Sequence, residues 1–144
     1  MSNKIQQSII GGIIATAVMS LVMWLAPMMG MPKMSPPEML SMMMGLPIAV
    51  GWLMHFMIGI IFAMLYAFFF MKLLRKISSN ILKGAIFGLA AFLIAQVSLG
   101  AMGSIFPMPA MEGSMILMMV GSIIGHLVFG IVTVQFIKEP IAQK

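Results

Sequence analysis

The amino-acid sequence predicts an all-α fold: a four-transmembrane-helix bundle built from two tandem two-helix halves, with a short interfacial helix in the first outer loop. Three observations predict it. Only 8% of the 144 residues are charged and 62% are hydrophobic, whereas an ordinary soluble domain is about a quarter charged. Four apolar runs, residues 9–26, 46–71, 81–102 and 115–137, carry no Asp, Glu, Lys or Arg away from their edges. The phrase Met-Pro-x-Met occurs twice, as MPKM at 31–34 and MPAM at 108–111, each time just before a glutamate, Glu38 and Glu112.

Each run is long enough to span, since a transmembrane helix needs about 20 mostly apolar residues. In hydrocarbon the backbone must satisfy its own hydrogen bonds, so the runs are helices. The first is too long for a signal peptide and no small-x-small cleavage site follows it, so it is expected to be retained. After it, Ser35-Pro36-Pro37-Glu38 reads as a capping box with proline at the first helical position. Gly45 supplies a left-handed stop and Pro47 opens the second span. Residues 36–44 are therefore expected to form one short helix, rich in methionine, that lies in the interface or lids the bundle.

Charge sets the expected orientation. Lys4, Lys72, Arg75, Lys76, Lys83, Lys138 and Lys144 fall on one side of four spans, and only Lys33 on the other. The positive-inside rule then places both termini in the cytoplasm. Trp24 and Trp52 fall near the outer interface, where amphipathic rings are favoured. The net charge of +5 is thereby explained by topology, and nucleic acid is not expected as a partner.

The halves, about 1–76 and 77–144, share an order of features. Gly12 and Ser20 of the first span correspond to Gly88 and Gln96 of the third. Gly51-x-x-x-His55-x-x-x-Gly59 of the second corresponds to Ser122-x-x-x-His126-x-x-x-Gly130 of the fourth. Two helices per half give both halves the same orientation, related by an axis along the membrane normal. Small residues at helical spacing (Gly12, Thr16 and Ser20; Gly84 and Gly88; Gly121 and Gly125) suit close helix packing.

His55 and His126 are the only ionisable residues deep in the spans, and a polar residue there suggests a site by default. At ~1.5 Å per residue they lie about 13 Å and about 18 Å below the outer edges. Three readings stay open. Each imidazole bonds a neighbouring helix, with Ser20 and Gln96 as candidate partners. The pair ligates a metal or haem b iron, with Gly59 and Gly130, one turn away, leaving flat space for a macrocycle. Or the pair gates a proton or substrate.

Of 21 methionines, 12 lie in the 33 residues of the outer segments 28–46 and 102–115. Filler for lipid-facing positions would concentrate in the spans instead. Thioether sulfur suits Cu(I), so Met31, Met34, Met108 and Met111 are candidate ligands that collect a soft ion above the histidines. The competing reading is that flexible methionine fills irregular gaps under the loops.

The chain has no Cys and no Asp, so disulfides, thiolate sites and intramembrane Asp relays are excluded, and no P-loop or dinucleotide glycine pattern is present. The sequence points away from an enzyme. It points towards a binding protein for a soft metal, with a haem b protein or an accessory subunit of a larger membrane complex as rivals, alone or as a homo-oligomer.

The phrases APMMGMPKM, GWLMHFMIG and GHLVFGIV resemble an uncharacterised prokaryotic family of small four-helix membrane proteins, a domain of unknown function. The resemblance covers nearly the whole chain. It implies a prokaryotic inner membrane and a compact bundle, and it carries over no activity or site residue.

Overall fold

A computed structural model describes residues 2–109 and 113–138. Five helices follow in order: α1 (Ser2–Leu25), α2 (Pro36–Met44), α3 (Ile48–Leu73), α4 (Asn80–Gly103) and α5 (Met115–Phe136). The four long ones are apolar and long enough to cross a bilayer. Only about a fifth to a third of each apolar stretch is buried inside the bundle (22–33%). The rest is an unbroken apolar exterior, with Ile13, Leu21, Leu53, Ile61, Leu93 and Val97 all exposed. A surface of that kind is solvated by lipid, not water. The protein is a multi-pass membrane protein with four spans.

α1 packs against both α3 and α5, α5 packs against α4, and α2 lies on α3. The close approaches use glycine. A Cβ added at Gly12 of α1 would lie 2.7 Å from the Ile60 Cα of α3. One added at Gly88 of α4 would lie 2.9 Å from the Leu127 Cα of α5. Without such positions the backbones could not meet, and dispersion contact is the main attraction between helices in lipid.

α3 and α4 meet through aromatic rings. Tyr66 and Phe70 of α3 both pack on Phe87, with centroids 5.0 and 5.2 Å away. Phe129 of α5 joins them, 6.3 Å from Phe87 and 6.4 Å from Phe62. Residues Tyr66–Phe70 form a π turn inside α3, a feature that sequence periodicity does not anticipate. The Lys4 amine of α1 donates to the Ala67 carbonyl within this turn, at 3.4 Å.

Hydroxyls buried in the spans are satisfied by their own helix. Ser8, Thr16 and Thr133 donate to the carbonyls four residues back, Lys4, Gly12 and Phe129, at 2.7, 2.7 and 2.8 Å. This is the local solution where no water reaches.

The short helix forms over the residues that its caps predict. The Ser35 hydroxyl accepts from the Glu38 N–H at 3.4 Å, and Gly45 (φ 64) ends the helix with Leu46 N–H donating back to the Ser41 carbonyl at 2.9 Å. The capping box is only half made, because the Glu38 carboxylate turns to Lys33 at 3.2 Å instead. Pro37, Leu40, Ser41 and Met43 are buried, while Met42 and Met44 are exposed. Before α2, a 3-10 turn at Ala26–Met29 closes α1 and is stopped by Gly30 in the left-handed region (φ 83).

The start of α1 and the end of α5 share one end of the bundle, where Lys138 N–H donates to the Gln7 side chain at 3.0 Å. Lys4, Lys72, Arg75, Lys76, Lys83 and Lys138 lie at that end, and Lys33 lies beside α2 at the other. Lys144 falls outside the described residues.

Candidate functional site: thioethers and imidazoles near the α2 end

His55 is buried in α3, and its Nε2 lies 3.1 Å from the Ser20 hydroxyl of α1. Trp52 and Phe56 flank its ring edge-on at 6.3 Å. The first candidate partner from sequence is therefore the one found. His126 behaves differently. Its Nδ1–H donates to the Ser122 carbonyl one turn back at 2.8 Å, and the Phe92 ring of α4 stands edge-on at 5.7 Å. Gln96 is not its partner. The hydrogen bond and ring contacts of each imidazole run within its own helix pair, α1–α3 or α4–α5. Among the described residues the two rings neither stack nor share a hydrogen bond.

With Nδ1 holding its proton against a carbonyl, His126 keeps a lone pair on Nε2. That is the tautomer a metal-ligating histidine usually adopts.

The methionines are gathered by the glycine face of α5. A Cβ at Gly121 would lie 2.9 Å from Met34 Sδ and 3.3 Å from the Met31 methyl. A Cβ at Gly125 would lie 3.2 Å from Met23 Sδ and 3.3 Å from the Met19 methyl. Four thioether side chains thus line one face of α5 along a single turn, and Met19 and Met23 are buried. The loop pair Met31 and Met34 was legible in sequence, but Met19 and Met23 were not. The signal that marks them is the spacing Ala15-Met19-Met23, three buried positions four apart on α1.

Met108 is placed elsewhere. It is exposed and its side chain leans on Gly103, the last residue of α4. Met111 lies outside the described residues, as does Glu112.

The space beside Gly59 and Gly130 is not free for a macrocycle. Gly59 faces Thr16 of α1, and Gly130 faces the backbone of Gly84 and Gly88. These glycines admit neighbouring helices, so the residues around the histidines do not fit a haem in the manner that the sequence suggests. Among the described residues no three His, Asp, Glu or Cys side chains converge. A metal bound here would draw on thioethers.

Helix count, apolar exterior and interior polar groups define the class: a small four-helix membrane protein with a methionine-lined interior near one end. The chain belongs to the family of unknown function DUF6789, whose match covers residues 2–138. No curated protein and no solved structure matches it.

Proposed function

We propose that this chain is a non-enzymatic membrane protein that holds a soft monovalent metal ion, Cu(I), on the thioethers of Met19, Met23, Met31 and Met34. The observation that carries the reading is their convergence on the Gly121 and Gly125 face of α5. Two of these side chains come from a span and two from the loop, so the set joins the surface to the interior. Thioethers are soft, neutral ligands that favour Cu(I) over harder ions. His126, next to Gly125 in sequence, offers an imidazole with a free Nε2, whereas the Nε2 of His55 is engaged with Ser20. Met108 and Met111 serve in this reading as a collecting pair at the surface. By the charge asymmetry, α2 faces outward from a prokaryotic inner membrane and both termini are cytoplasmic.

The same proposal reads the chain as a duplicated helix pair. What supports this is the repetition of contact: Gly12 meets the Gly59 region of α3, and Gly88 meets the Gly130 region of α5. These are the positions matched between the halves.

Anaerobic loading with Cu(I) in mild detergent, followed by elemental analysis and X-ray absorption, tests the metal reading. One copper per chain with sulfur neighbours is expected. Met23→Leu and Met34→Leu keep volume and fold, and each should lower occupancy. A protein that takes up no copper, or whose Leu variants bind it equally well, overturns the reading. A metal-free chain that copurifies with a larger membrane complex would support the accessory role instead.

A further inference from the structure

We propose that a recess between α1, the loop after it, α2 and the start of α3 binds the headgroup of a quinone-class lipid. The recess holds about 330 Å³. That is the lower end of the range for small-molecule sites, enough for one substituted ring and the start of its tail. Its walls include Trp24, Trp52, Met23 and Met34, a flat, polarisable lining suited to a ring. Both tryptophans are partly exposed on the bundle exterior, so a ligand dissolved in the bilayer can enter from the side.

The polar group at its deep end narrows the ligand class. Ser20 is the lining residue furthest into the span, and its hydroxyl meets His55 Nε2 at 3.1 Å. Unlike Ser8, Thr16 and Thr133, whose hydroxyls donate to their own helix, Ser20 faces a side chain. In the tautomer that the proposal takes, with the proton on Nε2, His55 donates to Ser20 Oγ and the hydroxyl hydrogen is left for a ligand carbonyl. A ring that carries oxygen on its leading edge satisfies this donor. A phospholipid fits poorly, because its hydrocarbon would occupy the polar end. The rim gives no anion preference either, since Lys33 is paired with Glu38 at 3.2 Å. The proposal does not depend on copper.

The test uses the two tryptophans, the only ones in the chain and both in the recess wall. Their fluorescence is followed while a short-chain benzoquinone is added to the purified full chain in detergent micelles, with a free tryptophan analogue in the same micelles as reference. Saturable quenching of the protein, against linear quenching of the reference, is expected. Ser20→Ala should raise the apparent Kd about tenfold, and Ser20→Thr, which keeps the hydroxyl, should restore it. Far-UV circular dichroism checks that the variants are folded. Linear quenching of the unmodified chain overturns the proposal whether or not the variants fold. Folded Ser20→Ala with an unchanged Kd overturns it as well.

Discussion

Gly88 leaves no room for a methyl group. A Cβ there would strike the His126 carbonyl and lie 2.9 Å from the Leu127 Cα, both backbone atoms that cannot swing away. Gly88→Ala should therefore force α4 and α5 apart and cost about 1–3 kcal/mol, the usual range for overpacking. Gly100, twelve residues further along the same helix, is exposed and has nothing within 4 Å of its added Cβ. Gly100→Ala should be neutral or stabilise by up to ~1 kcal/mol, through helix propensity alone. Denaturation in mixed detergent micelles, read by helicity, measures both. Equal effects would mean that the α4–α5 contact is looser than its geometry requires. The same logic applies to Lys4, whose amine reaches the Ala67 carbonyl. Lys4→Met should cost about 0.5–1.5 kcal/mol, the net value of one intramolecular hydrogen bond, in the same assay.

At the level of elements, α2 makes its closest approach to α3 at Gly51. A Cβ at Gly51 would collide with the Pro37 carbonyl and lie 3.0 Å from Ser41 Cβ. Gly51→Leu should lift α2 off α3 while the four spans stay assembled. Limited proteolysis checks this: cleavage within 31–47 should rise sharply with no loss of helix content beyond one short element. The element was legible in sequence because its caps are local: Ser35, the prolines and Gly45 act within a few residues of each other. Span boundaries were legible for a similar reason, since the bilayer imposes length and apolarity on each run separately. The π turn in α3 was not legible. It serves to bring Tyr66 and Phe70 onto one ring, Phe87, supplied by a helix that begins after a loop, and no periodicity within α3 encodes that partner. The candidate site divides in the same way. His55 with Ser20 followed from depth and spacing. The fit of Met31 and Met34 against Gly121, and of Met19 and Met23 against Gly125, depends on how three segments meet. The flat space expected beside Gly59 and Gly130 is filled by neighbouring helices, because a glycine beside a histidine looks the same in sequence whether it borders a ligand or another helix.

Across the whole molecule, the distribution of charge makes the sharpest prediction. Six described basic residues gather at the end that holds the start of α1, the α3–α4 loop and the end of α5, against Lys33 alone at the α2 end. Cationic loops resist translocation, so the basic end is expected to stay inside. The chain lacks cysteine, which makes single-cysteine labelling clean. Ser104→Cys, exposed after α4, should react with a membrane-impermeant maleimide added to intact cells. Ser78→Cys, exposed in the α3–α4 loop, should react only after the membrane is opened. The opposite pattern would invert the topology and put the thioether face and the recess on the cytoplasmic side of the membrane, where neither would meet ions or lipids of the outer leaflet. Replacing Lys72, Arg75, Lys76 and Lys83 together by glutamine removes most of the bias without touching the packed interior. Labelling of both sites in intact cells is then expected, because a bundle whose helices pack the same way in either direction keeps its fold when its orientation becomes mixed.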